Sequence, residues 1–334
     1  MRKIASILML LAVSLTARAF SFSATAPTGQ TLYFDVTSGT TVSIVNPDWD
    51  YHVMPTGTLE IPSTVSHGGT TYSVTAIGRR AFFDCSGITH VTVPQSVHTI
   101  GTLAFGSCSA LDTIDLPATL DSIGSEAFNN CGYYNNATNW VDGKALYIGD
   151  YLVRVSTSAA GTFTIREGTL GIGGMAMYYC HSVAEVSVAQ TVGFIGPLAF
   201  KDCAELDTVH MFSDTPPALA MDAFDNAYPT TVKVPCGSLG SYRAAPYWGA
   251  QHLVEAPCPA GIGHTAAAEP AVRVTADGII INGAQGLRLT ISDITGRRIA
   301  AIDNAAAQQD IALPQAGVYV VGIEGRRPVK IIYL

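Results

Sequence analysis

Apolar residues recur along this chain with a fixed period of 23 residues, and polar residues fall between them at equally fixed places. The clearest run is Ile77, Gly78, Ala81, Phe82 and Cys85. It returns at Ile100, Gly101, Ala104, Phe105 and Cys108, and again at Ile123, Gly124, Ala127, Phe128 and Cys131. Between the cysteines the apolar positions also keep register, as Ile88, Val91, Val93, Pro94 and Val97 in one copy and Leu111, Ile114, Leu116, Pro117 and Leu120 in the next. The Val91-Thr92-Val93 alternation predicts a strand with both valines inward and Thr92 outward. A period of this length predicts a solenoid whose units stack on one another. One unit alone buries too little apolar surface to offset the entropy of ordering it, so the array needs neighbours throughout and a cap at each end.

Taken in order, residues 20–58 carry short alternating segments broken by Gly, Pro and Asn, which predict an N-terminal cap of antiparallel strands. The array is expected over 59–255. Its register breaks after Cys131, because the next matching cysteine, Cys180, lies 49 residues on, and residues 129–161 hold an Asn-rich, aromatic insertion. Loops of that length on a rigid scaffold are often functional. The pattern resumes at Phe163 and Ile165, passes through Ile172, Gly173 and Ala176, and is complete again over Val186, Val188, Val192, Ile195, Gly196, Ala199, Phe200 and Cys203. Tyr242, Ala245 and Trp248 predict a short closing helix. Residues 256–271 read as a linker, and 272–334 as a small β-sandwich of short strands, including 278–282, 287–292, 317–323 and 329–333. The predicted fold class is therefore mainly β: a 23-residue solenoid followed by a small C-terminal sandwich.

The alternation also names a candidate face. Carrying the Thr92 offset through every copy gives one outward row of Glu60, Thr92, Asp115, Thr164, Ser187, His210 and Lys233. Two residues earlier lies a second row of Thr58, His90, Thr113, Thr162, Glu185, Thr208 and Thr231. With strands about 4.8 Å apart, the rows are expected to form one continuous polar sheet on the concave side. Threonine is common in strands for conformational reasons alone, so the rows read either as strand-forming filler or as a recognition surface. Tyr133, Tyr134 and Trp140 in the insertion divide the same way, between local packing and a contact site.

Net charge is −8 and charged residues are only 13%. That balance excludes the basic face of a nucleic-acid binder. Residues 1–19 read as an export signal: Arg2 and Lys3, an apolar run from Ile4 to Leu15, then Ala17-Arg18-Ala19. That run is too short to span a bilayer, and no later stretch does better. The mature protein is expected outside the cytoplasm. The ladder cysteines share one inward position and read as small buried apolar residues, whereas Cys236 and Cys258 flank the closing cap and are free to pair in an exported protein. No C-x-x-C, H-E-x-x-H, G-x-S-x-G or P-loop is present, and the histidines have no metal-type spacing. Gly171 to Ala176 matches a dinucleotide fingerprint in letters only, and Asn46, Asp48 and Asp50 start a calcium-loop pattern that Tyr51 and Gly57 break. No cofactor, metal or catalytic constellation is expected.

On these motifs, residues 59–255 resemble the BspA-type leucine-rich repeats of bacterial surface proteins. The C-terminal segment resembles a type IX secretion sorting domain, through Ser292 to Arg297, Leu313 to Tyr319 and the closing Lys330 to Leu334. The first resemblance implies adhesion to extracellular-matrix or other host proteins. The second implies transport across the outer membrane by the type IX machinery, with removal of the domain as the protein is attached to the cell surface. The expectation is a non-enzymatic binding protein for a macromolecule, with a glycan-binding envelope component as the alternative.

Overall fold

The computed structural model describes residues 20–47, 53–258, 271–275, 278–293, 297–306, 308–324 and 329–333. The expected export signal, Asp48 and Asp50, most of the linker, the Thr295-Gly296 turn and Leu334 lie outside the described residues. The chain divides into two compact units, Met1–Cys258 and Pro259–Leu334.

The first unit is a β-solenoid of about 8 turns with ~23-residue repeats. It opens with Phe22–Thr25, Thr31–Val36 and Thr41–Val45, which pair antiparallel and place Phe22, Phe34 and Ile44 in register. Thr41–Val45 then pairs parallel with Thr70–Ile77, so the opening strands continue into the first solenoid sheet. A full turn supplies a polar-face strand, a two-residue strand such as Thr99–Ile100 on a second sheet, and a tight return that carries the Ala-Phe-Cys motif except where Met177 replaces the Phe and Ala227 the Cys.

Two features make this stacking close. Ile77 O accepts from Gly101 N at 2.7 Å, and Ile100 O accepts from Gly124 N at 2.7 Å. A Cβ on Gly101 would lie 2.5 Å from Arg79 N, and one on Gly124 2.5 Å from Thr102 N, so only glycine lets adjacent turns touch here. Beneath them the phenylalanines align. Phe82 and Phe105 stack at 5.1 Å between ring centroids, Phe105 and Phe128 at 5.6 Å, and Phe200 and Phe224 at 4.8 Å, with buried Met177 in the intervening turn. The returns hold non-glycine residues in the left-handed region, including Leu103 (φ 56°) and Ser107 (φ 60°). Main-chain bonds to the next turn, such as Phe105 N to Ala127 O at 2.7 Å, offset that cost.

The array closes as its aromatics require. Helix Leu239–Ala244 buries Tyr242, whose hydroxyl donates to Ser213 O at 2.8 Å. Trp248 is fully buried and donates through Nε1 to Pro217 O at 2.8 Å. Strand Leu253–Glu255 then pairs parallel with Thr231–Val234. A disulfide joins Cys236 to Cys258, with Cα atoms 5.1 Å apart.

In the second unit, Ala271–Thr275, Gly278–Asn282 and Gln308–Ala312 form one antiparallel sheet. Arg298–Ile302, Leu289–Asp293, Gly317–Ile323 and Val329–Tyr333 form another. Ile279, Ile281 and Ile311 of the first meet Leu289, Ile291, Val321 and Ile331 of the second in one core, which makes a small β-sandwich.

Substituting Gly101→Ala or Gly124→Ala should destabilise the array by about 1–3 kcal/mol, because the new methyl meets main chain that cannot yield. Gly39, where an added Cβ would meet nothing within 4 Å, is the control. Equal thermal midpoints for Gly101→Ala and Gly39→Ala would contradict this packing.

Candidate ligand-binding face

Strand register places the two polar rows as follows. Thr58, His90 and Thr113 are successive partners, as are Glu60, Thr92 and Asp115. Further along, Thr162, Glu185, Thr208 and Thr231 align, and so do Thr164, Ser187, His210 and Lys233. Their inward neighbours Leu59, Val91, Val186, Val209 and Val232 are fully buried, which fixes the intervening polar side chains on the opposite face.

The expected continuity of the rows is corrected. Gly57–Glu60, Ile88–Thr92 and Thr113–Asp115 form one three-stranded sheet, and the strands from Ala160–Thr164 onward form a separate five-stranded one. The chain between them leaves the repeat path through helix Gly132–Asn135 and a hairpin of Ala145–Ile148 and Tyr151–Val155. The hairpin's last strand pairs with Gly171–Ile172 in the other sheet, so this stretch adds a rung there and none to the polar sheet. Thr208 also departs from expectation. It is buried, with its hydroxyl donating to Asp207 at 3.0 Å.

Within the rows each histidine meets a carboxylate across strands. His90 Nε2 lies 2.7 Å from Asp115 Oδ2, with Thr92 Oγ1 at 3.5 Å from each. His210 Nε2 lies 3.3 Å from Glu185 Oε2. Such partly exposed pairs contribute little to stability, so a ligand displaces them at small cost. Glu60 and Lys233 are exposed, and Ser187 is half-buried.

Tyr133, Tyr134 and Trp140 come together with one another and are half-buried. Trp140 Nε1 donates to Tyr134 O at 2.9 Å and its ring meets Tyr134 edge to face at 5.5 Å. The Tyr133 hydroxyl donates to Tyr147 O at 3.1 Å. The polar atoms of the Tyr133 and Trp140 side chains are thus engaged within the insertion.

Sequence reasoning missed Arg154. Its Nη1 donates to Met175 O at 2.9 Å and Nη2 to Tyr178 O at 3.4 Å, while Val155 N donates to Ala176 O at 2.6 Å. In an intact turn the carbonyls equivalent to those of Ala176 and Tyr178 accept from the preceding return, as Ala104 O does from Phe82 N and Gly106 O from Asp84 N. Arg154 and Val155 therefore supply donors where the broken repeat cannot. Beside them lies a small crevice lined by Glu126, Phe128, Tyr134, Val153 and Gly174 among others. No sequence signal marks this role, because it depends on how the hairpin folds back.

Cys85, Cys108, Cys131, Cys180 and Cys203 are buried thiols. Cys108 Sγ donates to Phe82 O at 3.0 Å and Cys203 Sγ to Met177 O at 3.1 Å, so the repeated thiol also binds the preceding turn. Burial pushes Cys131 and Cys180 up to about 11, and Cys85 and Cys203 up to about 12. Among the described residues, no group of three or more His, Cys, Asp or Glu is placed to hold a metal ion.

A parallel-stacked array with open polar strands and a repeated buried Phe and Cys, replaced by Met177 in one turn and Ala227 in another, defines a leucine-rich-repeat solenoid. The chain belongs to the BspA-type leucine-rich repeat region family, whose model matches in six copies over residues 69–154 and 143–242. Residues 263–333 match a domain of unknown function, DUF6383. Among solved structures, a leucine-rich repeat protein of T. pallidum is 22% identical over 72% of this chain and 79% of that one, with a TM-score of 0.29. One from Bacteroides ovatus is 15% identical over 71% and 100%, with a TM-score of 0.31. A leucine-rich cell surface protein of Faecalibacterium prausnitzii is 15% identical over 72% and 96%, with a TM-score of 0.24. No curated protein matches. Among the described residues, no helix is long and apolar enough to cross a membrane.

Two thiol outcomes follow. An Ellman titration at pH 8 should find no reactive thiol in the native protein, five after denaturation and seven after reduction as well. The unfolded thiols ionise near 9.0 but the folded ones nearer 11 to 12, so the unfolded chain releases protons first as pH rises. Stability should therefore fall above pH 9, read as a lower urea midpoint at pH 10 than at pH 8.

Proposed function

We propose that this chain is a non-enzymatic binding protein of the cell surface or extracellular space, which recognises a macromolecular ligand through its polar strand rows. The single observation that carries this reading is the register. Chemically distinct side chains (Glu60, His90, Thr92, Asp115, Glu185, Ser187, His210 and Lys233) are held on the outward side of two sheets, each laid over its own apolar cluster. Loosely paired charges on a rigid scaffold suit recognition. Family membership supports a binding role, and adhesion to matrix or other host proteins is the specific form we propose.

The glycan alternative relies on Trp140 and the tyrosines as stacking platforms. The Trp140 N–H and the Tyr133 O–H are turned toward main-chain carbonyls of the insertion, which favours the protein-ligand reading. For the second unit we propose the type IX sorting role, supported by the motifs at Ser292–Asp293 and Leu313–Tyr319, and for residues 1–19 an export signal.

Purified residues 20–334 should bind one or more members of a matrix-protein array and no member of a glycan array. Asp115→Lys and His210→Glu should each weaken that binding about tenfold or more. Saturable sugar binding lost in Trp140→Ala would instead favour the glycan reading. Deleting residues 272–334 should leave the protein in the periplasm, and normal surface display of the truncated form would exclude the sorting role.

A further inference from the structure

The break in the polar sheet leaves strand edges that, among the described residues, no other strand pairs with. In every intact pair the core-facing residue directs its amide to the following strand: Ile61 N donates to Thr92 O at 3.0 Å, Val93 N to Asp115 O at 3.0 Å, and Ile165 N to Ser187 O at 2.9 Å. N–H and C=O groups of alternate residues point to opposite edges. Phe163 and Ile165 therefore face the following strand, Ser182–Val188, while Thr162 and Thr164 present theirs to the other edge. Among the described residues, no strand of this chain pairs there, and no main-chain hydrogen bond outside the ladder to Ser182–Val188 engages Thr162 or Thr164.

Side-chain burial tells the same story. Phe163 is half-buried, although its register partners Val186, Val209 and Val232 are fully buried. Ala160, Gly161, Thr162 and Thr164 are all exposed. On the other side of the break, Ile114 is 7% exposed where its partners Leu59 and Val91 are at 0%. An open parallel edge with a partly uncovered apolar residue matches one kind of occupant: an extended polypeptide whose residues alternate apolar and polar.

We propose that a protein partner adds an extended segment as a parallel strand along the open edge of Ala160–Thr164. Its main chain bonds to the N–H and C=O groups of Thr162 and Thr164, and an apolar side chain covers Phe163. This rests on the polar rows being the ligand-binding face and narrows the ligand from any macromolecule to a polypeptide read through its main chain. Strand addition gives affinity through the ladder and selectivity through alternate side chains. The same rule that orients the native ladder fixes the incoming strand. As the preceding rung, it donates from its apolar residues, as Val93 does to Asp115.

The test uses residues 20–334 and a fluorescein-labelled peptide copying Ser182–Val188, which already pairs with this strand on its occupied edge. Fluorescence anisotropy should show saturable binding. N-methylation of the peptide's second and third valines should abolish it, whereas N-methylation of its glutamate and second serine should not. Thr164→Pro removes one amide from the open edge and none from the ladder to Ser182–Val188, and should weaken binding at least tenfold, with folding checked by its thermal midpoint. Absence of saturable binding up to about 1 mM would overturn the proposal. So would indifference to which nitrogens are methylated. Concentration-dependent dimerisation of the chain that is lost in Thr164→Pro would identify a second copy as the occupant and overturn the partner-protein assignment. If the peptide fails while Asp115→Lys still abolishes matrix-protein binding, the polar face stands and only the edge assignment falls. Failure of both removes the functional reading itself.

Discussion

No turn of this array covers its own apolar side chains or satisfies its own main chain, and the rest of the structure follows from that dependence. Phe105 is buried because Phe82 and Phe128 lie against it. The carbonyl of Ala127 is satisfied because Phe105 offers an amide across the same boundary. Gly101 and Gly124 serve this contact, since a methyl at either would meet the main chain of the neighbouring turn, whereas the last copy carries Ala220 at the equivalent place. Stability in such a system is a sum of interfaces between adjacent units, so an irregular unit is felt by both neighbours.

The irregular unit here is the insertion, and the structure accommodates it unevenly. On the second sheet Tyr151–Val155 supplies the rung, and on the returns Arg154 and Val155 supply donors to Met175, Tyr178 and Ala176. On the polar face nothing equivalent is supplied. The apolar interior divides at the same place, into one cluster built mainly from residues before the break and another from Ala145 through Trp248. The pattern therefore fails at a place where, among the described residues, main-chain hydrogen-bonding capacity is left to spare.

Repetition made the fold legible in the sequence. The 23-residue spacing announced the solenoid, the Val-Thr-Val alternation gave the sidedness of the polar rows, and Tyr242 with Trp248 marked the closing cap. Exceptions to the repetition were harder to read. Ala227 stands where other turns have cysteine, which hid the Ala223-Phe224 copy even though its Ala-Phe pair repeats that of Ala199-Phe200. The split of the polar sheet was invisible because it depends on the hairpin pairing with Gly171–Ile172, a contact with no period to reveal it. In the sandwich, Arg298–Ile302 and Gln308–Ala312 were not separated out, since their polar and small residues give weak alternation. The thiol contacts to preceding carbonyls show why cysteine can recur where a slightly larger apolar residue would also be buried.

The disulfide between Cys236 and Cys258 has a bearing on how such a rod comes apart. Linear arrays fray from their termini, where a unit has one neighbour in place of two. The cystine encloses the stretch that holds the closing helix, Trp248 and the last parallel strand, and so tethers the outermost layer to the rung beneath it. Peeling is opposed at that end, which leaves the seam in the middle and the opposite terminus as the places where unravelling begins.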